Sequence, residues 1–183
     1  MKKEVWAQSI RGNRLLRKRD WFGDVLGVCQ VTSLHLVFCI LFAAQFQEDG
    51  RSSNGIPMLC LALVSVPLCA IYCLSRENDL TLVGTGLSAV ENRNLVLFAF
   101  KTLGWEVRSN TPFAVIAGAN NKWWSNHGQT ATALITDNKV YLNLIHGGTS
   151  KGRLPFYFGS NQRKLNRAIA AIESGKTLLV YQP

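Results

Sequence analysis

The sequence predicts an integral membrane α-helical hairpin of two transmembrane helices, followed by a small cytosolic α+β domain. Three observations predict it. Two uncharged apolar runs of membrane length are split by a short polar turn; basic residues concentrate outside those runs; and roughly one hundred C-terminal residues carry helix signals on either side of β-rich segments. The chain divides accordingly into a basic segment (1–24), the hairpin (25–74), a linker (75–87) and the α+β domain (88–183).

The first apolar run, Val25 to Phe46, and the second, Gly55 to Leu74, contain no Lys, Arg, Asp or Glu. Each has about the ~20 residues a helix needs to cross a hydrocarbon core roughly 30 Å thick. The intervening QFQEDGRSSN reads as a connecting turn. A cleaved signal peptide is disfavoured, because such apolar regions span roughly 7–15 residues and here a second run follows at once. The net charge of +9 comes from 20 Lys+Arg against 11 Asp+Glu. Lys2, Lys3, Arg11, Arg14, Arg17, Lys18 and Arg19 precede the first run, whereas the turn holds only Arg51. Basic residues stay on the cytoplasmic side during insertion, so an N-in, C-in orientation is expected. Val5, Trp6, Ile10, Leu15, Leu16, Trp21 and Phe22 alternate with these charges, as in a helix lying along an anionic membrane surface; the equal alternative is a retention signal that needs no fixed structure.

Within the first run Thr32, His35, Cys39 and Ala43 share a helix face, and in the second Ala62, Ser65, Cys69 and Cys73 do. Small residues so spaced let helices approach closely in lipid, so these faces are expected to meet, within one chain or in a homo-oligomer. Pro67 is expected to kink the second helix. His35 is the only histidine of the pair and has no carboxylate in its span; without convergent donors it reads as a packed, hydrogen-bonded histidine rather than a ligand. All five cysteines (Cys29, Cys39, Cys60, Cys69 and Cys73) fall in the two runs. That leaves neither a disulfide scaffold nor a Cys-based metal site beyond them. No metal or cofactor is expected.

In the C-terminal part a short strand is expected at Leu80 to Val83. Ser88 and Glu91 match a capping box for a helix through ENRNLVLFAFKTL that stops at Gly104. Strands are expected at Trp105 to Arg108 and Phe113 to Ala117, joined or divided at Pro112, and at Thr130 to Thr136 and Val140 to Ile145 around the turn Asp137-Asn138. A further strand is expected at Leu154 to Phe158. A second helix, NQRKLNRAIAAIESG, starts at Ser160 or Asn161 and ends at Gly175, and TLLVY is read as a last strand.

P-loop, GxGxxG, HExxH and GxSxG patterns are absent. No catalytic residue is therefore assigned, and a non-enzymatic role ranks first. The candidate binding surface is Trp123, Trp124 and His127, in a loop rich in amides, together with Arg163, Lys164 and Arg167 on the second helix. Adjacent Trp residues cannot both enter one core from a strand. The basic cluster suits phosphate, but a tether beneath an anionic leaflet makes lipid headgroups a simpler partner than nucleic acid. The layout resembles small bacterial inner-membrane proteins that hang one α+β domain from a two-helix anchor, sensor–effector and immunity-type proteins among them.

The leading expectation is a membrane-anchored interaction or sensing module on the cytoplasmic face, in contact with the bilayer and a protein partner. The second is a two-helix effector whose soluble domain binds a small ligand and triggers membrane perturbation. The third is a membrane-bound hydrolase using His127.

Overall fold

The structure is a computed structural model and describes residues 2–17, 21–48, 55–119, 129–146 and 158–180. These fall into two units. One contains α1 (Lys3–Arg11), β1 (Thr81–Gly84), α4 (Ala89–Thr102), β2 (Glu106–Asn110), β3 (Ala114–Gly118), β4 (Gln129–Ile135), β5 (Lys139–His146) and α5 (Phe158–Val180). The other contains α2 (Trp21–Glu48) and α3 (Gly55–Arg76).

The sheet unit is built on five antiparallel strands in the order β1-β5-β4-β3-β2. Because side chains alternate along a strand, a sheet packed on both faces sends neighbouring residues to different cores. Ala131, Ala133 and Ile135 of β4 and Val140, Leu142 and Leu144 of β5 join Leu95, Phe100, Leu165 and Ile172 from α4 and α5. Leu134, directly opposite Tyr141, points the other way, where Leu15, Leu80 and Ala114 form a smaller cluster flanked by Trp6 and Ile10 of α1. The N-terminal helix, expected to lie on a membrane surface, thus spends its apolar face on the sheet. The Trp6 ring packs on Phe113 at 5.6 Å, and the Lys3 ammonium lies 5.6 Å over the same ring.

After α1, Asn13 turns the chain at φ 47° and the next residues run antiparallel to the start of the β1 segment. Leu15 N–H donates to the Asn78 carbonyl at 2.8 Å, Leu80 N–H to that of Asn13 at 3.1 Å, and Arg14 bridges Asp79. Asn143, buried on β5, donates through Nδ2 to the Glu77 and Asp79 carbonyls, both at 2.9 Å.

Helix α4 has the expected ends. Ser88 Oγ accepts from Glu91 N–H while Glu91 accepts from Ser88 N–H, the reciprocal capping box. At the other end Gly104 adopts φ 69° and Trp105 N–H reaches back to the Phe100 carbonyl at 2.8 Å, with the two rings 5.1 Å apart. This is a Schellman stop sealed by its apolar contact. Asn138 takes the left-handed conformation (φ 66°) expected of the β4–β5 turn, and Asp137 Oδ1 accepts from Ala89 N–H at the start of α4. Fully buried Asn92 donates to the Leu87 and Thr136 carbonyls, tying α4 to the same turn.

Helix α5 overturns three expectations. It begins at Phe158, so Ser160 and Asn161 are inside it; it continues through Gly175; and Thr177–Val180 is helix rather than a last strand. Gly175 does not end the helix but lets α4 approach. A Cβ there would stand 2.6 Å from Leu95 Cδ1 and 3.3 Å from Phe98 Cδ1. Residues 154–157 of the expected strand lie outside the described residues.

In the other unit α2 packs against α3. The predicted hairpin of two transmembrane helices requires correction. Among the described residues one helix, Phe22–Leu41, is long and apolar enough to cross a membrane, by length and composition. The apolar stretch described in α3 is Leu63–Arg76, interrupted by Pro67. Pro67, inside α3, has no backbone N–H to donate one turn back and so interrupts the helix's hydrogen-bond ladder. The fold class is therefore an antiparallel five-stranded sheet with helices on both faces, plus a helical pair containing one candidate span.

Candidate functional site

The polar cluster most intimately built into the sheet unit lies where β3 ends, β4 begins and α5 makes its first turns. Gln129 opens β4 on the side that carries Ala131, Ala133 and Ile135 into the larger core, and it is only 4% exposed. An amide at such a position requires partners, because burying it without them costs about 1–3 kcal/mol. Two α5 side chains supply them. Gln129 Nε2 donates to Asn161 Oδ1 at 2.6 Å, and Lys164 Nζ donates to Gln129 Oε1 and, at 2.7 Å, to the Ala119 carbonyl. Ala119 N–H in turn donates to the Gln129 carbonyl at 2.8 Å, adding one rung beyond the β3–β4 ladder. Partial burial, and then the nearby Arg167 charge, hold the Lys164 ammonium below its ordinary lysine value.

The predicted basic group is therefore not uniform. Lys164 is half-buried and bound to two oxygens, while Arg163 and Arg167 are exposed on the same helix. The amide partners Gln129 and Asn161 were absent from the predicted surface. The core-facing parity of Gln129 was their available signal. Trp123, Trp124 and His127 lie outside the described residues.

The helix-packing residues separate as well. On α2, Cys39 is buried, Thr32 and His35 are half-buried, and His35 Nε2 stands 3.6 Å from Cys39 Sγ. Thr32 Oγ1 donates to the Val28 carbonyl one turn back. On α3, Ser65 and Cys69 are exposed and Cys73 is half-buried, whereas Ala70 is completely buried with half-buried Leu63, Val66 and Pro67 on its side. The buried side of α3 is thus rotated by about one residue from the predicted stripe. The side chains of Ala43 and Ala62 lie outside the described residues.

Among the described residues no three His, Cys, Asp or Glu side chains gather as a metal site requires. Asp137, which a hydrolase would use with His127, has its carboxylate on the α4 N-terminus. What the cluster does chemically is cross-link: an ammonium and two amides fasten α5 to the mouth of the β3–β4 pair and leave two guanidinium groups outside. No family model matches this chain, and no curated protein matches it.

Proposed function

We propose that the protein is a membrane-anchored interaction module, with α2 in the bilayer and the sheet unit on the cytoplasmic side presenting the Arg163–Arg167 edge of α5 to an acidic protein partner. The supporting observation is the character of α2. Phe22, Val25, Leu34, Phe38, Ile40 and Leu41 are each more than half exposed and spread over most of the helix circumference, leaving Thr32, His35 and Cys39 to the packed side. A helix apolar nearly all round needs an apolar surrounding, and contiguous apolar surface of this extent is not left to water. The sheet unit takes residues from before α2 and from after α3, and the Lys/Arg excess that precedes α2 supports the cytoplasmic side for it.

Alkaline carbonate extraction and flotation of the full chain, with protease digestion of intact spheroplasts, test this. Retention in floated membranes with a C-terminal tag protected is the expected result. Release by carbonate would remove the anchor, and cleavage of the tag would reverse the orientation.

A further inference from the structure

We infer that Arg11 and Arg17, on either side of Leu16, form a binding surface for anionic phospholipid headgroups. This rests on the membrane reading above and names the lipid class it selects.

The structure gives the stretch a fixed outward side. Leu15 is anchored in the smaller core at 7% exposure, its N–H is bonded to Asn78, and Leu16 N–H donates to Ser9 Oγ at 3.0 Å. With its backbone held on both sides, the segment leaves Arg11 and Arg17 exposed and Leu16 46% exposed between them. An apolar side chain left in the open between cations is the pattern of a segment that enters the headgroup layer, with the leucine in the acyl boundary and the guanidinium forks on phosphate. The candidate span starts at Phe22, five residues after Arg17, which the chain can stretch to at most about 18 Å. At low ionic strength, where the Debye length is about 30 Å, any bilayer holding α2 therefore lies within one Debye length of Arg17.

Arg163 and Arg167 are exposed as well, but they belong to α5, which packs on the opposite face of the sheet from Leu15. They cannot share a flat surface with Arg11 and Arg17. Lipid is favoured over nucleic acid for the Arg11–Arg17 pair because the neighbouring Leu16 and the following span offer apolar surface, which a phosphate backbone does not use.

The test uses the full chain reconstituted in phosphatidylcholine vesicles containing traces of spin-labelled phosphatidylglycerol or spin-labelled phosphatidylcholine. Electron paramagnetic resonance then reads the motionally restricted fraction of each. Wild type should prefer phosphatidylglycerol roughly five- to tenfold at low salt, given the attraction of an anionic surface for each added cation. The preference should fall by at least half in R11Q/R17Q, persist in R11K/R17K, and be unchanged in R163Q/R167Q. Equal restriction of the two lipids by wild type, or a preference that survives R11Q/R17Q, overturns the inference. A variant that had lost its fold would show a changed total of restricted phosphatidylcholine, and R11K/R17K then decides: a preference lost despite retained charge also overturns it. Absence of any restricted component for either lipid is instead the failure of the anchor itself.

Discussion

Lys164 holds its ammonium against two carbonyl-type oxygens while remaining partly open to solvent, and that sets two expectations. Replacing it by Met leaves the buried Gln129 Oε1 and the Ala119 carbonyl without this donor, a loss of about 1–3 kcal/mol discounted toward the lower figure by solvent access. The pH dependence follows from the direction of the shift. The folded-state value lies below the ordinary 10.5, so the unfolded chain binds the proton more tightly. The unfavourable contribution is complete below the folded-state value and disappears as pH rises from there toward 10.5, so stability should climb across that window. Denaturation midpoints in a series of alkaline buffers should show this climb in wild type and lose it in K164M. Gly175 gives a second residue-scale test. Val there must displace Leu95, only 1% exposed, and G175V should lose about 2 kcal/mol in spite of its better helix propensity, read by denaturant unfolding in detergent. Neither feature was visible in the chain alone. Glycine reads as a helix stop unless one knows that a neighbouring helix occupies the place of its missing side chain, and the partners of Gln129 lie 32 and 35 residues away.

The elements that could be read from the sequence are those whose determinants are local. The Ser88–Glu91 box, the Gly104 stop and the Asn138 turn each depend on atoms within a few residues, and each stands where the pattern put it. The cap is also testable. Ser88→Ala should cost about 1 kcal/mol by removing the side-chain acceptor for Glu91 N–H, measured as a shift in the thermal or denaturant midpoint. Hydrogen bonds from Ser88, its hydroxyl foremost and then its N–H, hold the Glu91 carboxyl below the ordinary 4.5. A carboxyl lowered in the folded state stabilises fully above its unfolded value and progressively less as pH falls through its folded one. Wild type should therefore lose a small acid-side increment that Glu91→Gln does not show. The elements that were misread depend on distant partners. α1 has the composition of a membrane-surface helix, yet Trp6 and Ile10 pack on the sheet because Phe113 and Leu134, more than a hundred residues along, offer them a site. In α3 it is a proline, Pro67, that interrupts an apolar run sufficient by composition.

At the scale of the molecule, strand order is the property least accessible from sequence. β1, first in the chain, pairs with β5, the last, and no local pattern records it. The separation of an apolar helical pair from a sheet domain was legible because it rests on composition over tens of residues. The number of spans was not, because composition averages over a local interruption such as Pro67. One consequence concerns the place where the pair joins the sheet unit. Arg14, before the helices, and Asp79, after them, face each other across an antiparallel bridge. Such partners stand about 5 Å apart, the separation a two- to four-residue hairpin closes. In chain topology the entire apolar pair is therefore the loop of a β-hairpin, an insertion whose removal breaks no strand. Excising it and closing the gap with a short turn should leave a monomeric, water-soluble sheet domain, with about 2 kcal/mol less loop-closure entropy to overcome. The protein is thus divisible at one seam, into an apolar helical pair and a sheet domain that evolution or an engineer could exchange independently.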